Sequence, residues 1–157
     1  MTTQIARPRS YDDLAALVGD ELGVSTWFDI TQERIDAFAD LTRDRQWIHV
    51  DPVRAAASSF GSTIGHGLMT LSLGPAMLEE LISFEGFAHA LNYGYERVRF
   101  PAPLPVGSRI RLRATITAVK PDEGQGIHTL VAQVFEREGH EKPVCVATQA
   151  ARFFERS

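Results

Sequence analysis

The chain has 157 residues and a formal net charge of −4, with 44% hydrophobic and 23% charged residues. That is enough for one domain with its own core, and too apolar for a disordered chain. A pI of about 5.7 argues against nucleic acid as the main partner. Cys145 is the only cysteine, so no intrachain disulfide can form. The opening MTTQIARPRS lacks the apolar stretch of a signal peptide, and a reducing, cytoplasmic location is expected.

From the N-terminus, Tyr11 to Leu22 reads as a short helix, an N-terminal extension covering about residues 10–23, and Val24 to Ile30 reads as a strand. Thr31 offers an N-cap hydroxyl to a helix that runs to about Thr42, with Ile35, Phe38, Ala39 and Leu41 on its apolar face. The stretch DRQWIH, Asp44 to His49, then leaves that helix. Asp51-Pro52 has the form of a new N-cap followed by proline at the first helical position, opening a turn through Ala57.

After the glycine-rich FGSTIGHG comes LMTLSLGPAMLEELIS. Leu68, Met69, Leu71, Leu73, Ala76, Met77, Leu78, Leu81 and Ile82 cover nearly the whole circumference of a helix, which is therefore expected to be buried on most sides. Pro75 is expected to bend or open it. Gly65, His66, Pro75, Glu79 and Glu80 make the run from Ile64 to Ile82 a poor membrane span.

Four strands follow: Leu91 to Phe100, Arg109 to Lys120, Ile127 to Arg137 and Val144 to Phe154. In RIRLRATITAVK, Ile110, Leu112, Ala114, Ile116 and Ala118 alternate with Arg109, Arg111, Arg113, Thr115 and Thr117, so one face is dry. The turn PDEGQG joins two of the strands into an antiparallel hairpin. The expected architecture is α+β, a single domain spanning residues 1–157 in which an antiparallel sheet curves around a buried helix.

DRQWIH sets a carboxylate, Asp44, five residues before an imidazole, His49. The spacing alone does not decide between an acid/base pair and helix punctuation. The order of segments from Val24 to Phe154 resembles the MaoC-like dehydratases, which include the (R)-specific enoyl-CoA hydratases and have the hotdog fold. The family motif has the form G-D-x-N-P-aliphatic-H-x-D, and Asp44, Ile48, His49 and Asp51 match it. Arg43, Gln46 and Trp47 depart from its glycine, asparagine and proline. His66-Gly67 supplies the family's downstream His-Gly pair.

This resemblance implies a hydro-lyase that adds water reversibly to trans-2-enoyl thioesters of coenzyme A or acyl carrier protein, without metal or separate cofactor. Asp44 and His49 would hold the water and handle its protons. The Gly67 N–H would face the thioester oxygen, Gln46 would orient polar groups, and Leu78, with Met77 or Leu81, would line the acyl pocket. A homodimer is implied, since a single hotdog sheet leaves an open edge. Two alternatives stay open: a thioesterase on the same fold, and a non-catalytic acyl-thioester-binding module. His66 is expected to be a structural hydrogen-bonding residue and Cys145 a core residue, while His89, His128 and His140 have no motif around them. The strand arginines Arg97, Arg99, Arg109, Arg111 and Arg113 belong either to a solvated face or to a coenzyme A phosphate site.

Overall fold

The computed structural model describes residues 5–122, 124 and 126–156. Its elements are α1 (Tyr11–Ala15), β1 (Glu21–Val24), β2 (Phe28–Asp29), α2 (Gln32–Thr42), α3 (Trp47–Val50), α4 (Pro52–Ala56), α5 (Gly67–Ser72), α6 (Gly74–Glu79), β3 (His89–Arg99), β4 (Arg109–Asp122), β5 (Gly126–Arg137) and β6 (Cys145–Phe154). All strand pairs are antiparallel, in the order β1-β4-β5-β6-β3, with β2 also on β4. This is the expected α+β hotdog arrangement, with α5 and α6 against the inner face.

β4 shows why the sheet has a dry side. Ile110, Leu112, Ala114 and Ile116 are buried. The intervening arginines turn outward into ion pairs: Arg109 with Glu138, Arg111 with Glu136, and Arg113 with both Glu136 and Glu21. These three guanidinium groups are thus matched by carboxylates on the sheet surface. Ala118 does not continue the dry row. A bulge between Ile116 and Ala118 inserts Thr117 and reverses the alternation, so that Val119 packs on the core instead. The β4–β5 hairpin forms as expected, with residues 123 and 125 of its turn outside the described residues.

The N-terminal helix is shorter than its sequence suggests. It ends at Ala15, and Glu21–Val24, read as the tail of that helix and the first residue of a strand, pair with β4 as β1. The strand expected from Val24 to Ile30 is broken at Ser25, whose side chain accepts the Leu112 N–H at 2.9 Å. In α2, Ile35 and Ala39 are buried and Phe38 packs on the core, but Leu41 is 82% exposed. It lies at the open end of the helix, beyond the reach of the sheet.

The inner helix is two helices. Leu73 ends α5, and Gly74-Pro75 opens α6. Proline has no N–H to continue the ladder, and at the start of a helix none is needed. Gly74 fits because a Cβ there would lie 3.1 Å from the Phe135 ring and 3.3 Å from the Gln133 amide oxygen. Met69, Leu71, Met77, Leu78, Leu81 and Ile82 are buried, whereas Leu68 is 62% exposed. The sheet wraps one side of α5 only, so its outward residues are uncovered. Cys145 lies in the core with no exposure, and burial pushes its thiol pKa up to about 12, so it is chemically quiet.

Arg43 ends α2 in the left-handed region, at φ 63° and ψ 15°. This is the position where the family motif has glycine, and the conformation explains that preference: an L side chain there crowds its own backbone. Arg43→Gly should therefore stabilise the fold by roughly 0.5–1 kcal/mol, after allowing for the greater freedom of glycine in the unfolded chain. Urea denaturation measures this directly, and a destabilised variant would contradict the strain.

Candidate active site

The site forms where the exit of α2, the short helix α3 and the start of α5 meet. Asp44 lies in the exposed link after the Arg43 turn. Gln46 is the N-cap of α3; its carbonyl accepts the His49 N–H at 2.9 Å, while its side chain makes no capping bond and is exposed. Trp47 takes the first helical position, and the Arg54 guanidinium lies 4.4 Å over its ring. Asp51 caps α4 by accepting the Arg54 N–H at 3.0 Å.

His49 is buried, and its Nδ1 lies 2.7 Å from the Ile64 carbonyl oxygen. A carbonyl can only accept, so Nδ1 carries the hydrogen and Nε2 of the neutral ring keeps its lone pair. Around this bond the backbone is cross-tied: the Ile64 N–H donates to the Ile48 carbonyl at 3.0 Å, and the Gln32 amide donates to the His49 carbonyl at 2.8 Å. Gln32 also accepts the Thr63 hydroxyl at 2.5 Å. Gln32 and Thr63 carry no sequence signal for this role, since only the fold brings α2 against the segment before α5.

His66 stacks on His49 with ring centroids 3.6 Å apart and planes 22° apart. The ring edge of its Nε2 lies 2.9 Å from the Asp44 carbonyl, and Phe38 sits 5.0 Å from the His66 ring. Asp44, His49 and His66 each bring one polar atom, a carboxylate oxygen or ring nitrogen, to within 4.8 Å of the others. The centre of a triangle with sides of that length is about 2.8 Å from each corner, which is hydrogen-bond distance. The cluster is therefore small enough for one polar molecule to touch all three groups.

A cavity of about 190 Å³ opens beside the cluster, lined by His49, Gly67, Thr70, Phe100 and Leu104 among others. Gly67 is the first residue of α5, where N–H groups have no partner within the helix. A Cβ at Gly67 would come within 2.8–3.0 Å of the Phe100 ring, so only glycine lets that ring lie against the backbone. Phe100 had no marker in the sequence; its place follows from the end of β3 meeting the start of α5. Leu78 lines a different cavity of about 140 Å³, with Pro75, Phe84, Leu91 and Phe153. Asp44, His49 and His66 come together, and Gly67 borders them. Of the cluster only His49 lines the 190 Å³ cavity; Asp44, His66, Gln46 and Leu78 lie outside its lining. His89 is exposed and stacks on Phe154, His128 lies in β5, and His140 is exposed beside Arg137.

The family described as MaoC like domain matches residues 13–149. The chain belongs to the MaoC-like dehydratase family. It is 49% identical over 145 residues to 3-hydroxyacyl-thioester dehydratase Z of Mycobacterium tuberculosis, covering 92% of this chain and 95% of that one. It is 40% identical over 144 residues to nodulation protein N of Rhizobium meliloti, covering 90% and 89%. Among solved structures, an unliganded R-hydratase of Pseudomonas aeruginosa aligns with a TM-score of 0.76 at 20% identity, over 94% of this chain and 87% of that one. As a MaoC-like dehydratase, the chain is an enzyme of the hydro-lyase class. No helix among the described residues is long and apolar enough to cross a membrane.

Burial holds the His49 imidazole below its ordinary value of 6.5; His66 adds to this, while the Ile64 bond and Asp44 oppose it. The folded MaoC-like chain then binds fewer protons at His49 than the unfolded chain between the lowered value and 6.5. The contribution of this group to stability accordingly falls as pH drops through that window. An NMR titration should give His49 a midpoint below that of a free histidine, and a raised midpoint would contradict the burial argument.

Proposed function

We propose that the chain hydrates trans-2-enoyl thioesters and, in reverse, dehydrates (R)-3-hydroxyacyl thioesters carried by coenzyme A or acyl carrier protein. The observation that carries this reading is the pairing of Asp44 with a His49 ring whose Nε2 lone pair is left available, around one water-sized position beside Gly67. In the forward direction the water oxygen bonds to C3 and one of its protons passes to the Asp44–His49 pair. The pair returns one proton to C2, so that H and OH add across the double bond. Between these events charge gathers on the thioester oxygen, which the Gly67 N–H meets. The buried, neutral His49 suits a base at neutral pH.

In this reading the acyl chain runs along α6 toward the cavity beside Leu78. Support for a homodimer comes from β3. This strand pairs only with β6 among the described strands, and it carries exposed Leu91 and Tyr93 on the open edge of the sheet, which a second copy would cover. A cytoplasmic location fits a soluble metabolic hydro-lyase of this kind. Arg97 and Arg99 lie exposed on β3, and no carboxylate is paired with them among the described residues, so they suit the carrier's phosphates better than Arg109, Arg111 or Arg113.

Asp44→Asn and His49→Ala should each lower hydration of crotonyl-CoA by on the order of 10²–10⁴-fold with the fold intact. The double variant should be scarcely worse than the worse single one, because groups acting on one water are not additive. Losses that multiply would mean independent roles, and wild-type rates in either variant would place the chemistry elsewhere. Leu78→Trp should leave a dimer by light scattering while penalising long acyl chains more than crotonyl. An equal loss at all chain lengths, or a monomeric wild type, would contradict this part of the reading.

A further inference from the structure

The sequence assigns His66 a structural role, but one part of that ring has no structural use. Nε2 lies 2.9 Å from the Asp44 carbonyl, so it must be the protonated nitrogen. Nδ1 of the neutral ring then holds a lone pair, and it is buried with no protein partner among the described residues. Buried polar atoms are nearly always satisfied, so one left over beside a reactive group calls for a ligand. The ring is only 3% exposed and cannot turn freely, with His49 stacked on one face and Phe38 5.0 Å away. The His66 ring lies 3.6 Å from that of His49, and a ring nitrogen of each comes within 4.8 Å of the other and of the Asp44 carboxylate.

The geometry points to His66 as a positioning residue whose Nδ1 holds the reacting water from a third side. The inference rests on the hydration reading for its kinetics, but its claim about Nδ1 stands apart from it. A seated water has two hydrogens and donates to two of the three acceptors Asp44, His49 Nε2 and His66 Nδ1 at a time. In hydration one water hydrogen passes to the cluster and the cluster returns one proton to C2, so that it ends as it began.

Two substitutions separate this role from a structural one. Gln reaches the Nε2 position and can keep the bond to the Asp44 carbonyl without supplying Nδ1; Asn supplies an acceptor near Nδ1 without reaching Asp44. His66→Gln should lower kcat about 10-fold or more, the rate equivalent of one hydrogen bond to the reacting water, with KM and melting temperature near wild type. His66→Asn should retain the higher kcat of the two. The reverse ranking, or a Gln variant with wild-type kcat, would overturn the inference. Nitrogen-15 NMR of the resting protein tests the same point without turnover. His66 should carry its hydrogen on Nε2 and have a bare Nδ1, and a hydrogen on Nδ1 alone would overturn the proposal. If the wild-type protein turns over no enoyl thioester, the hydration reading fails, and the NMR result still decides the state of Nδ1.

Discussion

The bond from His49 Nδ1 to the Ile64 carbonyl is the constraint on which the site depends. It fixes the tautomer, so Nε2 is the nitrogen left with a lone pair, and it fixes the ring against a backbone segment that leads two residues later to His66 and three later to Gly67. The Ile64 N–H returning to the Ile48 carbonyl makes the link reciprocal. A one-turn helix such as α3 has little stability of its own. Here it is held by its neighbours: Gln32 from α2, Ile64 from the following segment, and the Asp51 cap of α4. The Leu104 carbonyl, accepting the Gly65 N–H, anchors the same segment to the loop between β3 and β4.

Seen in the fold, the motif around Asp44 is mostly helix punctuation, which is why its chemistry could not be separated from its architecture by spacing alone. The glycine position is a left-handed helix end, occupied here by Arg43 at a cost in strain. The asparagine position is an N-cap, and Gln46 has a side chain one methylene too long for that task and makes no cap. The proline position is the first residue of α3, where proline is favoured but any residue can sit, and Trp47 instead packs under Arg54. The final aspartate caps α4. Only Asp44 and His49 remain for the proposed chemistry. The departures from the motif therefore fall on helix ends and leave Asp44 and His49 in place.

Much of the fold was legible because long strands and capped helices have strong local signals. Thr31 and Asp51 cap where their side chains suggested, and the alternation in β4 reads correctly as far as Ile116. The failures are places where tertiary structure overrides local pattern. The apolar circumference of α5 does not tell which side the sheet covers, so Leu68 is exposed where the pattern implies burial. A single inserted residue, Thr117, reverses the faces of a strand and leaves no mark in composition. Glu21 and Leu22 continue a helical pattern, but β4 offers Glu21–Val24 a partner strand. In the site, Asp44, His49 and Gly67 had motif signals, whereas Gln32, Thr63, Phe38 and Phe100 are brought in by contacts distant in sequence.

In the proposed function the site directs water to C3 of an enoyl thioester and not to its carbonyl carbon. Purified protein mixed with trans-2-enoyl-CoA substrates of increasing chain length tests it most directly, with conjugated-thioester absorbance and free thiol followed together. Hydration removes the conjugation and leaves the thioester whole, so the account predicts falling absorbance with no thiol release. Stoichiometric appearance of free coenzyme A would make the chain a thioesterase, and unchanged absorbance at every chain length would contradict the account altogether.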